Sequence, residues 1–180
     1  MTPYSVSYRI QTALLVLIVI LSCYYLWVLY KAVTPNVSVA YKAYYIKRQT
    51  LYWDANKPNL QLPIPCRLSI DSNSPYLSRQ GWSSEVFEHS RQLISQGGLY
   101  FTVAKLVVMP VTLTLILAHP ASVPIHVAFN QWHGTLVPSP AQRRVLTLQL
   151  PANAFFEPKK MQQLTFLNPE PLVVQQINIE

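Results

Sequence analysis

Glu85, Glu88 and His89, just downstream of Trp82, are the densest set of groups in this chain that could do chemistry. Two carboxylates beside an imidazole are raw material for proton transfer. A tryptophan near a carboxylate suits recognition instead, with the indole face stacked on a sugar ring and the carboxylate accepting hydrogen bonds from its hydroxyls. Two roles are therefore open to Trp82. It could stack on a ligand with Glu85 as the acceptor, or it could plug one end of a β-sandwich with its N–H bonded to Glu85 or to a backbone carbonyl. Trp132 and His133, in the run Asn130-Gln131-Trp132-His133-Gly134, make a second candidate, because a turn there would put the indole on the surface.

The rest of the sequence argues against catalysis. Four glycines in all leave no G-x-G-x-x-G, no phosphate-binding loop and no G-x-S-x-G elbow. His89, His119, His126 and His133 show no i, i+4 pair and no adjoining acidic cluster, so no metal site is expected. Seven acidic residues provide little for acid–base work, and a hydrolase or transferase using Glu85 or Glu88 with His89 is the less favoured reading. The expectation is a non-enzyme without a cofactor. The net charge of +7 is spread through isolated pairs such as Arg143-Arg144 and Lys159-Lys160. It lacks the basic stripe that nucleic acid requires and suits anionic headgroups or an acidic glycan.

What positions these groups is an anchored domain. Hydrophobic residues make up 51% of the 180 and charged residues only 12%, about half the usual charged share. The cause is visible between Arg9 and Lys31, a stretch with no charge. Ala13–Tyr30 reads ALLVLIVILSCYYLWVLY, close to the roughly 20 apolar residues that a bilayer-spanning helix needs. Residues 1–11 form a short tail and 12–30 the span. Leu14, Leu17 and Ile20 face lipid, and Trp27 and Tyr30 sit at the headgroup level. The run is too long for a cleaved signal peptide, and no A-x-A site follows it. Ile20-Leu21-Ser22-Cys23 fits a lipid-attachment motif poorly, because apolar sequence continues past the cysteine. Lys31, Lys42, Lys47 and Arg48 after the span outnumber Arg9 before it, which by the positive-inside rule would hold the domain in the cytoplasm. Long domains translocate largely regardless of such charges, which favours a domain outside the cytoplasmic membrane. Cys23 lies in the apolar run, so Cys66 has no partner within the domain and reads as a small buried apolar residue.

Residues 31–65 read as a stalk, a first strand over Val37–Tyr45 and a proline-rich connection holding Trp53. Residues 66–180 break into short β-type runs between turn signals: Cys66–Ile70, Leu99–Val108, Val111–Ala118, Val123–Phe129, Val145–Leu150, Gln163–Leu167 and Leu172–Ile179. Such spacing implies an antiparallel sandwich or barrel. Ser84–Ser95 is the one plausible short helical stretch.

Gly81-Trp82-Ser83 with Glu85, then Leu99 and Phe101, then the closing Ile177 and Ile179 resemble a known arrangement. It is that of the jelly-roll accessory domains attached to bacterial membrane phosphoglycerol transferases and envelope glycosyltransferases. The chain departs from that pattern at Phe87-Glu88-His89, where the family tends to have tryptophans, and it lacks the family's Asp-x-Arg-x-Leu-Gly lead-in to the last strand. The resemblance implies a mainly β, jelly-roll sandwich behind one N-terminal transmembrane helix. It also implies an accessory subunit of the inner membrane with a periplasmic domain. That domain would bind an envelope polysaccharide or dock on a membrane enzyme that makes or modifies one. A structural protein–protein component of a secretion or division assembly is the alternative. The oligomeric state is not legible.

Overall fold

The computed structural model describes residues 3–71, 73–168 and 170–180, which divide into two units, Met1–Val37 and Ser38–Glu180. The first unit is one helix, α1 (Pro3–Val33). Proline suits the first turn, where its missing N–H costs nothing. The helix takes in residues 3–11, assigned above to the tail. Its stretch Ile10–Val33 reaches mean hydropathy 2.4 over 18 residues and is long and apolar enough to cross a membrane. At 1.5 Å per residue it extends about 36 Å, against about 30 Å of hydrocarbon. Leu14, Leu17, Ile20, Trp27 and Tyr30 are all exposed along it. The Ser22 hydroxyl donates to the Ile18 carbonyl at 2.8 Å, so the one clearly polar side chain of the run is satisfied within the helix.

The second unit opens with a single α-helical turn, α2 (Val39–Tyr41), running into a π-helical turn over Lys42–Ile46. Residue content alone predicts a strand here. The helix forms because the Ser38 hydroxyl accepts the Tyr41 N–H at 3.2 Å, capping the turn. Ala40 and Ala43, three apart, then bury one face, while the Tyr41 and Tyr45 rings pair at 4.8 Å. A run rich in β-branched and aromatic residues thus takes the period of its buried alanines.

Among the described residues ten strands follow: β1 (Cys66–Ser69), β2 (Trp82–Phe87), β3 (Ser90–Leu93), β4 (Gln96–Thr102) and β5 (Val111–Leu117) in the first half. The second half holds β6 (Ile125–Phe129), β7 (Trp132–Leu136), β8 (Val145–Leu150), β9 (Met161–Leu167) and β10 (Leu172–Ile179). One sheet runs β2-β3-β10-β5-β8, with β1 also paired to β10; the other runs β4-β9-β6-β7. Counting from β3, the first sheet holds the first, eighth, third and sixth strands in that order. The second holds the second, seventh, fourth and fifth. That is the order of a jelly roll.

β5 shows why the layers form. Val111, Leu113, Leu115 and Leu117 are buried between the sheets, while Thr112, Thr114 and Ile116 face outward. Between the sheets Phe101 stacks on Phe129 at 6.3 Å, and Phe129 meets Phe155 edge-on at 4.6 Å. The half-buried Cys66 thiol has its pKa pushed up to about 11, chiefly by burial, so it is a packing group rather than a nucleophile.

Three other expectations change: in the run Leu99–Val108 strand structure stops at Thr102, the end of β4, and residues 103–110 form a loop. Ser84–Ser95 is not helical but forms the β2–β3 hairpin, because Glu88 (φ 46°) and His89 (φ 59°) make a two-residue turn with both residues left-handed. Such turns are announced by Asn-Gly or Asp-Gly, and Glu-His hides this one. At 130–134 the turn is confined to Asn130 (φ 54°) and Gln131, so Trp132 and His133 lie on β7.

Candidate functional site

The Gly81-Trp82-Ser83 element is a packing device. Trp82 is buried in the core, and its indole N–H donates to the Gly98 carbonyl at 3.0 Å. Of the two roles left open above, the indole takes the plug. Gly98 lies against the backbone of β9: a Cβ there would stand 1.8 Å from the Leu164 carbonyl oxygen. Gly81, at φ 89°, could not carry one either, since it would meet the Gln96 oxygen at 1.7 Å.

Glu85 goes elsewhere. It stands on the solvent side of the first sheet, in a groove of about 440 Å³ lined among others by Glu85, Phe87, Glu88, Gln92, His119 and Gln175. Two irregularities open that groove. The β2–β3 pairing shifts register between Trp82 and Val86, and the β10–β5 pairing shifts between Val174 and Gln176. Bulges of this kind re-aim side chains, and here they turn Glu85 and Gln175 toward the same hollow. Phe87, at the tip of β2, is 73% exposed beside them.

The groove's inner wall is held by Arg91. β10 pairs along one edge first with β3 and then with β1, leaving a joint between those two strands. Arg91, 1% exposed, fills the joint from inside. Its guanidinium donates to the carbonyls of Ile70 at 3.2 Å and Ser83 at 2.8 Å and to the Tyr52 hydroxyl at 3.0 Å. It also lies 5.5 Å from the Tyr52 ring centroid. The Ser83 carbonyl is one that the β2 irregularity frees, so this buried cation fixes the strand carrying Glu85. At the hairpin, His89 Nδ1 lies 3.2 Å from Asp71. The Asp71 carboxyl is held below its usual range, first by the Ser69 hydroxyl and then by His89.

Trp132 and His133 lie on β7, the edge strand of the other sheet, and are not brought to this groove. The Trp132 ring covers Gly134, where a Cβ would stand 2.3 Å from Cη2, next to Leu148. It closes the seam between the sheets and is half-buried. His133 points outward on the same shallow surface as His126, which lies 3.2 Å from the Thr135 hydroxyl. Among the described residues no group of three His, Cys, Asp or Glu side chains could hold a metal ion.

No family model, curated protein or solved structure matches the chain. The groove must therefore be read from its own chemistry.

That chemistry is hydrogen bonding around an aromatic face. Glu85 and Glu88 offer acceptors, Gln92 and Gln175 offer both donors and acceptors, and Ser83 and Ser90 line the same hollow. The sequence pointed to Glu85 but not to Phe87, which is exposed because the hairpin tip carries it beyond the sandwich.

Proposed function

We propose that this chain is a membrane-anchored, non-enzymatic accessory protein of the bacterial envelope, whose jelly-roll domain binds a glycan in the Glu85–Phe87–Gln175 groove. One observation carries the reading: an exposed phenyl ring stands beside two carboxylates and two primary amides in a hollow wide enough for a sugar ring. The helix long and apolar enough to cross a membrane supports the anchor, and the jelly-roll strand order is the one that the Gly-Trp-Ser-x-x-Glu resemblance implies. The two carboxylates repel an acidic polysaccharide, so the fitting ligand is a neutral or amine-bearing glycan. Neither carboxylate is enclosed, and both face water rather than a dry reaction chamber.

Saturation-transfer NMR on the full chain in nanodiscs tests this with neutral oligosaccharides, chitosan fragments and polyuronate fragments. Transfer is expected to the first two. Phe87→Ala is expected to weaken binding about tenfold, the equivalent of about 1.4 kcal/mol of stacking. Transfer to none of them, or transfer indifferent to Phe87, would refute the glycan reading and favour a groove that docks a membrane enzyme.

A further inference from the structure

The two ends of the jelly roll differ in chemistry. The glycan groove lies where β5 ends and β10 begins, around His119 and Val173. At the opposite end, the segment by which the chain enters the domain is pinned to the end of β4. Ala40 N–H donates to Pro58 at 2.8 Å, Thr102 N–H to Leu60 at 2.8 Å, and the Thr102 hydroxyl to Asn59 at 2.8 Å. From that same end springs the β4–β5 loop, residues 103–110, with Leu106, Val108 and Met109 turned into solvent.

Three exposed apolar side chains on one loop are unusual for a surface left in water. Their surroundings say what covers them. Lys105 lies within the loop, and Lys159 is fastened beside it through its N–H on the Val103 carbonyl at 3.1 Å. Among the described residues no carboxylate pairs with either lysine. The nearby acids are engaged elsewhere, Glu157 with Lys160 at 2.8 Å and Glu180 with Arg67 at 3.5 Å. Tyr41, Tyr45 and Trp53, on the segments just after the entry point, form an exposed aromatic cluster with ring centroids 4.8 and 5.7 Å apart. Apolar tips, flanking lysines, and tyrosines with a tryptophan together make the composition of a headgroup layer.

We propose that the 103–110 loop inserts Leu106, Val108 and Met109 into the interface of a lipid bilayer, with Lys105 and Lys159 on anionic headgroups. The inference rests on the membrane-anchor reading. It adds that the domain is a seated one, and that the glycan groove opens at the end remote from the lipid. Insertion of this kind reaches about 5–10 Å below the surface.

The test uses the full chain in phosphatidylcholine vesicles containing phosphatidylglycerol and nitroxide-bearing lipid. An environment-sensitive fluorophore is placed on one cysteine at a time, the other cysteines being replaced by alanine: native Cys23, Met109→Cys, or Val137→Cys. Val137 is 67% exposed, against 71% for Met109, but follows β7 at the far end of the sandwich. Quenching at Cys23 and Met109 but not at Val137 is the expected result, with the Met109 signal falling in vesicles that lack phosphatidylglycerol. Quenching at Cys23 with Met109 no different from Val137 would overturn the seated loop and leave the anchor intact. No quenching at Cys23 would overturn the anchor itself, and the seated loop with it.

Discussion

Trp82→Ala is expected to destabilise the domain by about 3–5 kcal/mol, as large aromatic truncations in cores do. Two losses combine. Removing the indole leaves a cavity in the core, and the buried Gly98 carbonyl loses one of its two donors, the indole at 3.0 Å, keeping the Ser78 N–H at 2.9 Å. Stability of a domain this size is about 5–15 kcal/mol, so the variant sits near the edge of folding. Trp82→Phe separates the terms, keeping most of the volume while deleting the hydrogen bond, and should cost about 1–2 kcal/mol. Urea unfolding of the detergent-solubilised chain, followed by circular dichroism, checks both. Glycan binding by the Phe variant should be unchanged, because the indole faces inward. Stability within about 1 kcal/mol of the parent, together with lost binding, would return Trp82 to the ligand role.

Arg91→Ala is expected to cost a similar amount, about 3–5 kcal/mol, for a different reason. A buried guanidinium with no carboxylate partner is an unfavourable residue unless its N–H groups are used, and here Nε and Nη1 serve acceptors on three separate segments while Nη2 is buried without a partner among the described residues. Truncation strands the Ile70 and Ser83 carbonyls and empties the joint between β1 and β3. Arg91→Lys should recover little, because one ammonium cannot reach the diverging acceptors that a planar fork spans. Arg91→Met restores volume without donors and should fall between. Since the Ser83 carbonyl lies on the strand bearing Glu85, the Met variant should also weaken glycan binding at temperatures where it remains folded. A loss under about 1 kcal/mol for Arg91→Ala would mean that the joint is held by the strands alone.

Parts of this architecture can be read from the residues. The alternation in VTLTLIL and VLTLQL places β5 and β8, and β10 runs over the same Leu172–Ile179 read from the sequence, because one face of each is buried and the other is wet. Period and spacing alone stop at a sandwich or barrel. The jelly-roll order is non-local, and its expectation comes from the Gly-Trp-Ser-x-x-Glu resemblance. The misreadings have local causes. A cap by Ser38 and two buried alanines override strand propensity at 39–46, and left-handed Glu88 and His89 turn a hairpin without its usual glycine. Arg91 gives no signal in the sequence, because arginine is ordinarily exposed and nothing in its neighbourhood marks it as core. Of the site residues, Glu85 is in the groove, Trp82 is beneath it, and Trp132 and His133 belong to the other sheet.

An envelope glycan can reach the groove only if the domain lies outside the cytoplasm. Alkaline phosphatase, which is active only there, and separately a cytoplasmic reporter are fused after Glu180 and assayed in bacterial cells. Active phosphatase with a silent cytoplasmic reporter is the predicted result, placing the groove where envelope glycans are. An active cytoplasmic reporter would contradict it: Lys31, Lys42, Lys47 and Arg48 would then have set the orientation, and the groove would have no envelope glycan to bind.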